Sequence, residues 1–376
     1  MNFYKSPSFL SYGGSRAYGL NTEQSDVDLV GFVLPPKEVL NDIFQNFEEW
    51  ANKEEINTEY KRLVNPANPK LETKVYSLKK FFKLASECNP NIIEILWVDP
   101  ECILKLDPVG EEVLANRDIF LSKQAKFRFL GYAHAQFQKI ERHRKWLIKG
   151  EIAKPERKSF GLPEQEPKFM GEIYRLVKAQ VEEWNFHDFG FDEEQRNELK
   201  ERLWDVASRL GGVKPGWGDW PEIHEHAAAQ KIFEQLDLVA EIQEYINREI
   251  QYKNANKEYT NWLEWKKNRN VERKGMEAKF HYDTKYAMHL IRLARTGYEL
   301  LLTGKINTTR PDREELLAIR NGEWSYERLL EEFKNLDKAM DAAYSNSVLP
   351  HSTNKHKINQ LYYRLLELDN KIGLRK

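Results

Sequence analysis

The chain has 376 residues, which is long enough for two domains or for one large elaborated domain. Its formal net charge of −1 excludes a global basic field, so any contact with nucleic acid has to come from local patches. The mean hydropathy is −0.72, and no apolar run approaches the ~20 residues that a helix needs to span a bilayer. These values predict a soluble, helix-rich protein without a membrane partner.

The first residues and the cysteines favour the cytoplasm. The segment MNFYKSPSFL lacks the long apolar core of a signal peptide. Cys88 and Cys102 are too few for a disulfide framework, and neither has the spacing of a metal ligand. We therefore expect a cytoplasmic protein whose cysteines are small buried hydrophobic residues.

A flexible turn at Gly13, Gly14 and Ser15 opens the first distinctive stretch of the chain. Paired glycines let backbone N–H groups approach an anion closely, and the serine hydroxyl adds a further donor. A short helix is expected over residues 16–20, and the N-terminus of a helix favours phosphate. The turn therefore predicts a phosphate-binding site.

A strand that carries two carboxylates follows the turn. The run Val27–Leu34 is typical of a buried strand, and Pro35 and Pro36 end it. Asp26 and Asp28 stand two residues apart, so their side chains point the same way. Two like charges side by side need a cation between them, and hard oxygen ligands suit Mg²⁺. A phosphate-binding turn beside paired carboxylates is the equipment for phosphoryl or nucleotidyl transfer.

The spacing of these groups carries a family resemblance. Gly14-Ser15, ten further residues and Asp26-Val27-Asp28 resemble the signature of the DNA polymerase β superfamily of nucleotidyltransferases. The longer string GSRAYGLNTEQSDVDLVGFVLPP is similar to one branch, the nucleotidyltransferases associated with bacterial and phage RNA repair. The resemblance implies that Asp26 and Asp28 bind paired Mg²⁺ ions, for which Mn²⁺ can substitute. It also implies that an incoming NTP is held by Gly13, Gly14, Ser15 and Arg16.

A third carboxylate is implied on a neighbouring strand of such a fold. Residues 71–78 alternate as a strand that places Glu72 and Lys74 on one face. Glu72 precedes the stretch YSLKKF and is the first candidate for a catalytic and metal-binding carboxylate, with a solvated strand residue as the structural alternative. Glu59, in TEYKRLV, is the other candidate. The family more often has acidic residues at both positions, and Lys74 departs from that pattern.

The next segment predicts two helices and a short strand. The apolar stripe of the first helix consists of Leu78, Phe81, Phe82 and Ala85. Asn89 is a suitable N-cap for the second helix, and Pro90 is a suitable first residue. The run YSLKKFFKLASECNPNIIEILWV resembles the same RNA-repair branch, and Glu94 within it receives no role. One more short strand is expected between the prolines at 100 and 108.

Residues 123–149 contain no proline and predict a long helix with basic sides. Its apolar positions are Phe127, Leu130, Ala133, Phe137, Ile140 and Leu147. Its cations are Lys123, Lys126, Arg128, Lys139, Arg142, Arg144 and Lys145. Phosphates need cations and bases stack on rings such as Tyr132 and Trp146, so this helix is either an RNA-facing surface or an ordinary solvated face.

The stretch 151–270 is the least recognisable part, and we expect a variable helical insertion there. Its pair His224 and His226 has no accompanying cysteine or carboxylate pattern, so an exposed helix start is favoured over a metal site. Two ordinary amphipathic helices, 325–345 and 356–370, are expected at the end of the chain.

Residues 276–322 again resemble the RNA-repair branch and predict a helix over Asp283–Thr303 that ends at Gly304. Its inward positions are Ala287, Leu290, Ile291, Ala294 and Leu301. Lys285, His289 and Arg292 share one face of this helix. They are either nucleotide-binding residues that hold a triphosphate against the sheet or purely structural residues.

Together these elements predict an α+β protein. A small polymerase β-type mixed sheet with helices is followed by a large, mostly α-helical region. We expect a nucleotidyltransferase catalytic domain at 1–120 and a helical domain at 121–376, with the variable insertion at about 151–270.

The expected reaction is metal-dependent transfer of NMP from an NTP to a hydroxyl acceptor. The resemblance implies an RNA 3′ end, tRNA-like, in RNA repair or processing. One alternative is nucleotidylation of a small molecule or a protein hydroxyl, and another is an RNA-binding scaffold with a silent fold. The intact Ser15, Asp26 and Asp28 speak against the silent scaffold. The sequence leaves open the base, the templating and the oligomeric state.

Overall fold

The computed structural model describes residues 3–23, 25–44, 46–52, 63, 71–165, 240–268 and 271–372. Three residues discussed above, Glu59, His224 and His226, lie outside the described residues. Glu72 is therefore the candidate for the third carboxylate whose surroundings are described.

A five-stranded mixed sheet forms the first half of the structure and confirms the predicted α+β class. Its strands are Phe9–Tyr12 (β1), Val27–Val33 (β2), Glu49–Asn52 (β3), Leu71–Ser77 (β4) and Ile103–Leu106 (β5). Their order across the sheet is β3-β4-β2-β1-β5. Strands β2 and β4 are parallel, and the other neighbours are antiparallel. The two strands that carry the predicted carboxylates are therefore direct neighbours.

The helices precede, interrupt and follow this sheet. The shorter ones are Gly14–Ala17 (α1), Lys37–Leu40 (α2), Leu78–Ser86 (α3), Pro90–Ile93 (α4) and Pro108–Ala115 (α5). The later ones are Ala125–Lys149 (α6), Ala240–Asn268 (α7), Val271–Phe280 (α8), Thr284–Thr303 (α9), Arg313–Arg320 (α10), Tyr326–Asn346 (α11) and Lys355–Ile372 (α12). Short 3-10 turns occupy Phe3–Lys5, Glu94–Trp97, Pro100–Cys102, Arg117–Phe120 and Arg157–Phe160.

Alternation along the strands gives the sheet two different faces. One face buries a small apolar cluster that consists of Leu10, Val27, Leu29, Val33, Leu71 and Val75. The opposite face buries Phe9, Phe32 and Tyr76 against the helices of the main core. Asp28 has the parity of Phe32, and Glu72 has the parity of Tyr76. Both carboxylates therefore lie on the face of the sheet that the helices cover.

Local signals set the ends of several helices, and those at Asn89 and Gly304 are the predicted ones. The Ser77 hydroxyl accepts a hydrogen bond from the Lys80 amide at 3.2 Å and starts α3. The Asn89 side chain accepts from the Asn91 amide at 3.1 Å and starts α4. At α9, Asp283 is the N-cap and Gly304, with φ of +67°, ends the helix. The predicted inward stripes of α3 and α9 are buried, so both predictions are confirmed.

The predicted stripe of α6 is wrong at one position. Phe127 is 59% exposed, whereas Phe129 is fully buried. Phe129 packs against Gly297 of α9, where a Cβ would lie 2.6 Å from the Cβ of Phe129. The glycine lets the two helices approach closely at this point, and that approach turns Phe129 inward. Two phenylalanines two residues apart in a basic helix do not reveal this from sequence.

The chain packs as two compact units. The first consists of Met1–Arg144 with Met276–Lys376, and the second of Lys145–Gly275. Within the second unit, Arg157 pairs with the buried carboxylate of Glu249, and the rings of Trp146 and Trp265 lie 5.3 Å apart. The expected functional division at residue 120 stays a prediction. Over the described residues, every helix is too short or too polar to cross a bilayer.

Candidate active site

The signature turn, Gly13-Gly14-Ser15, lies directly against Asp28. The Gly13 amide donates a hydrogen bond to the Asp28 carbonyl at 2.8 Å and continues the β1–β2 ladder. Gly14 has φ of +55°, and a Cβ on it would overlap the Oδ2 atom of Asp28. Only glycine combines this left-handed conformation with this close approach. Gly14 and the Asp28 carboxylate are therefore in direct contact. The single N–H of Gly13 is already used in its bond to the Asp28 carbonyl, so it does not bind a phosphate.

Other donors of the turn point out of the first helical turn. The first intrahelical bond runs from the Ala17 amide to the Gly13 carbonyl at 3.4 Å. The amides of Gly14, Ser15 and Arg16 precede it and belong to the unsatisfied start of α1. The partly exposed Ser15 hydroxyl makes no hydrogen bond to another described residue. These donors are the groups that an anion at this turn would meet.

Asp26, Asp28 and Glu72, hereafter the carboxylate cluster, meet at the start of the two parallel strands. Asp28 is the register partner of Glu72 across β2 and β4, which places their Cα atoms about 4.8 Å apart. Burial raises the pKa of Asp28, the carboxylates of Glu72 and Asp26 raise it further, and the Lys285 ammonium lowers it. The cluster therefore holds three acidic groups near one cation.

The charge pattern around the cluster suits a divalent cation. Lys74, the departure from the family pattern, forms an ion pair with Glu49 of β3 at 3.2 Å. The possible metal ligands of the cluster are carboxylate oxygens, which Mg²⁺ and Mn²⁺ prefer. The residues present fit the metal that the resemblance implies.

A different group of residues in the described chain brings three possible ligand atoms within 4.8 Å of one another. It consists of His143, Glu277 and Asp283. The carboxylate cluster does not reach this closeness. Its side chains are adjacent without converging on one point. The predicted metal ligands stay a prediction.

The three predicted residues of α9 have different surroundings. Lys285 lies close enough to Asp28 for its ammonium to lower the pKa of that carboxylate. Burial lowers the pKa of His289 to about 3, with help from Arg292 and Lys285, so the imidazole is neutral at physiological pH. Arg292 is only 3% exposed and is bound inside the core. Nucleotide binding stays a prediction for all three, and the position of Arg292 favours a structural role.

Glu94 is the residue whose importance the sequence reasoning missed. It is 1% exposed, and its Oε1 atom accepts a hydrogen bond from Arg292 Nη1 at 2.5 Å. Its Oε2 atom accepts from the Tyr18 hydroxyl at 3.0 Å, and the Arg292 guanidinium lies 3.6 Å from the centre of the Tyr18 ring. A glutamate between Ile93 and Ile95 in an apolar run is the signal that was present. It marks a buried charge that needs a partner.

Comparison with known proteins identifies the region that carries this site. Residues 8–152 match RlaP, the RNA repair pathway DNA polymerase beta family. The match confirms the resemblance to the RNA-repair branch of the polymerase β superfamily over that part of the chain.

One curated protein is similar to part of this chain. An uncharacterized 38.9 kDa protein in the nrdC-mobD intergenic region of Enterobacteria phage T4 is 34% identical over 131 residues. These residues are 34% of this chain and 37% of the phage protein, so the aligned part spans little more than a third of either. No solved structure matches the chain.

Residues beyond the RlaP match hold the end of the signature turn. The acceptors are four consecutive carbonyls at 17–20, which follow α1. The contacts are Thr309 Oγ1 to Ala17 O at 3.5 Å, Arg310 N to Tyr18 O at 3.1 Å, Arg313 Nε to Gly19 O at 2.6 Å, and Arg320 Nη1 to Leu20 O at 3.3 Å. The segment that follows the signature turn is therefore held by three side chains and one backbone amide from beyond the RlaP match.

The basic helix α6 is less free than its sequence indicates. Lys126 pairs with Asp341 at 2.5 Å, and Arg128 pairs with Glu87 at 3.1 Å. The Lys139 ammonium lies 5.4 Å from the centre of the Tyr286 ring. Several of its cations thus have partners within the protein, and an RNA-facing role for the whole helix stays a prediction.

Proposed function

We propose that this protein is a metal-dependent nucleotidyltransferase that moves NMP from an NTP to the 3′-hydroxyl of an RNA. The single observation that carries the proposal is the placement of Asp28 beside Glu72 in parallel register, with Gly14 pressed against the Asp28 carboxylate. Three carboxylates lie together in this cluster, where Glu72 and Asp26 raise the pKa of Asp28 and Lys285 lowers it. Asp28 is half-buried and Glu72 is exposed, and a carboxylate whose pKa is raised by neighbouring acidic groups is a candidate for function.

The residues divide the work of binding. The Ser15 hydroxyl and the amides at the start of α1 bind the β- and γ-phosphates of the NTP. Asp26 and Asp28 would hold the metal ions, and Glu72 would be the third carboxylate ligand. When bound, Mg²⁺ or Mn²⁺ neutralises charge on the attacking hydroxyl and on the leaving pyrophosphate.

The transfer itself needs one proton acceptor. A carboxylate oxygen of Glu72 takes the proton of the acceptor 3′-hydroxyl. The 3′-oxygen of the RNA then bonds to the α-phosphorus of the NTP, and the bond from that phosphorus to the pyrophosphate oxygen breaks. Lys285 adds a positive charge beside Asp28 and favours the polyphosphate at this place.

The choice of RNA as acceptor rests on the family description, which names an RNA repair pathway. The test is incubation of the purified protein with each labelled NTP, Mg²⁺ and a pool of RNA. We expect label on the RNA and none on RNA whose terminal ribose has been cleaved with periodate. Label on the protein or on a small hydroxyl compound assigns a different acceptor. Absence of label on any acceptor with every NTP refutes the transferase.

The metal has a separate test that does not depend on turnover. A ligand that binds only the folded state at a hundred times its dissociation constant stabilises it by about 2.7 kcal/mol. We expect Mg²⁺ and Mn²⁺ to raise the unfolding temperature of the wild type and EDTA to reverse the rise. The double variant Asp26→Asn, Asp28→Asn shows no rise if these carboxylates are the ligands.

A further inference from the structure

A cavity of about 400 Å³ lies within the first unit, beside the start of α9. It is formed where the end of α8 and the turn 281–282 meet the turn 322–325 and the start of α11, with Arg144 of α6 as its third wall. A volume in this range is typical of pockets for small ligands. Neither the turn residues nor Arg144 takes part in the chemistry proposed above.

The two turns are fastened to each other, so the cavity is preformed. The Tyr282 hydroxyl donates a hydrogen bond to the Trp324 carbonyl at 2.6 Å. Gly322 has φ of +80°, and a Cβ on it would overlap the ring of Phe280. The aromatic ring therefore rests directly on the glycine backbone. A cavity held in this way is ready for a ligand without rearrangement.

Arg144 gives the cavity its chemical character. Its guanidinium carbon lies 4.3 Å from the centre of the Tyr326 ring. No described carboxylate pairs with it, and its buried Nε atom has no hydrogen-bond partner. In contrast, Arg295 and Arg310 are each bound by two or more carboxylates. A flat cation above an aromatic ring, with unsatisfied donors, suits a planar heteroaromatic ring attached to a phosphate.

The remaining walls narrow the choice of ligand. Lys279 adds a cation, and Glu323 and Glu327 add two carboxylates. This mixed charge disfavours a polyphosphate, because each carboxylate repels it. A single nucleotide unit of a strand carries only one phosphate. The cavity therefore suits an unpaired base of a nucleic acid strand better than the triphosphate of an NTP.

The segment that lines the cavity continues into a residue that acts on the carboxylate cluster. Tyr282 lines the cavity and precedes Lys285 by three residues, so their Cα atoms are at most about 11 Å apart. Lys285 in turn acts on Asp28.

We infer that the cavity binds an unpaired base near the 3′ end of the acceptor RNA, stacked against Arg144 and Tyr326. The inference rests on the proposed function for the identity of the acceptor. It adds a second point of attachment that orients the terminal hydroxyl. Base stacking on side chains of this kind is tolerant of base identity.

The test is a measurement of RNA binding without NTP. Binding is measured by the fluorescence anisotropy of a single-stranded RNA that is labelled at its 5′ end. Four RNAs are compared, one intact and three with an abasic residue at one of the last three positions. We expect Tyr326→Leu or Arg144→Gln to weaken binding of the intact RNA about tenfold, since stacking on one side chain has that order of effect. At one of the three positions, we expect removal of the base to weaken RNA binding by the wild type about tenfold. The same removal leaves RNA binding by the two variants unchanged.

Arg364→Gln is the matched control for charge, because Arg364 is an exposed residue paired with Glu112. We expect its RNA affinity to equal that of the wild type. Arg144→Lys keeps the charge and loses the flat guanidinium, so it behaves like Arg144→Gln if stacking is the contact. Near-UV circular dichroism of each variant shows whether the aromatic core is intact, and Arg144→Gln decides the question if Tyr326→Leu does not fold.

Independent, additive losses at all three abasic positions overturn the inference. So does a variant that binds RNA normally and raises KM for the NTP, because the cavity then holds the incoming base. The binding assay involves no turnover, so it is separate from the proposed reaction. A wild type that shows the coupling and transfers no nucleotide retains the base site and loses the transferase.

Discussion

Glu94 and Asp28 are two carboxylates on the same side of the sheet with opposite surroundings. Glu94 is 1% exposed and receives hydrogen bonds from Arg292 and from Tyr18. Asp28 stands between Asp26 and Glu72, and their charges raise its pKa beyond the effect of burial. The charge of Glu94 is balanced by Arg292, whereas Asp28 lies beside two further carboxylates.

The difference separates what holds the fold together from what serves a ligand. The partner of Glu94 lies 198 residues away, so their ion pair ties α9 to the first half of the chain. In the carboxylate cluster, Glu72 and Asp26 raise the pKa of Asp28, so their mutual repulsion costs stability when the groups are ionised. Functional sites are the places where folded proteins keep such local conflicts.

The largest expected effect is the loss of activity in Asp28→Asn. Removal of one carboxylate weakens the metal site, and stabilisation by metal ions is worth several kcal/mol, so transfer falls by at least about a thousandfold. The unfolding temperature without metal stays equal or rises, because the variant removes a charge that its neighbours repel. Labelled-NTP assays and thermal unfolding measure the two quantities.

Asp341→Asn is the matched control for that change, since Asp341 is an exposed carboxylate paired with Lys126. Its activity and unfolding temperature are expected to stay near those of the wild type. Full activity in Asp28→Asn would falsify the assignment of the cluster.

The next effect is on stability, from Glu94→Gln. It leaves Arg292 buried without a counter-charge, which costs about 3–5 kcal/mol of the free energy of unfolding. Urea unfolding measures the loss. Adding Arg292→Met to the variant recovers part of it, because the uncompensated charge is then gone.

An exposed pair gives the matched comparison for Glu94. Glu87→Gln breaks the surface pair with Arg128 and is expected to cost less than about 1 kcal/mol. Equal losses for Glu87→Gln and Glu94→Gln contradict the distinction between the two pairs.

A smaller effect concerns the pH dependence that His289 confers. Its pKa in the folded state is about 3, below the ordinary value of 6.5, because of burial and of the nearby Arg292 and Lys285. As the pH falls below 6.5, the unfolded state takes up a proton that the folded state refuses. Stability is then lost at up to about 1.4 kcal/mol per pH unit until the folded histidine titrates.

His289→Gln removes this loss without removing the other acid-labile groups. Unfolding temperatures of both proteins between pH 7 and pH 4 therefore diverge as the pH falls, with the variant less sensitive. Parallel curves for the two proteins show that His289 titrates normally in the fold.

The smallest expected effect is that of Ser15→Ala. The variant loses one hydroxyl donor to the triphosphate, and one hydrogen bond is worth about 0.5–1.5 kcal/mol. KM for the NTP is therefore expected to rise about three- to tenfold, with the RNA affinity unchanged. Steady-state kinetics at saturating RNA measures the change, and Ser15→Thr is expected to keep most of the activity. An unchanged KM in Ser15→Ala leaves the signature turn with a purely structural role.

The sequence by itself determined the features that depend on neighbours along the chain. The alternation of β4, the inward stripes of α3 and α9, and the caps at Asn89 and Gly304 were readable because each involves residues within about four positions of one another. The motif Gly14-Ser15 with Asp26 and Asp28 was readable from the spacing of these residues along the chain.

The tertiary structure alone decided which distant groups meet. It placed Glu72 in register with Asp28, Arg292 on Glu94, and donors from residues 309–320 on the carbonyls of residues 17–20. It also turned Phe129 rather than Phe127 inward, where Gly297 leaves room. Periodicity states that a side chain is buried or charged, whereas the partner of that side chain depends on how separate helices and strands pack. That packing separated the matched carboxylate of Glu94 from the crowded carboxylate of Asp28.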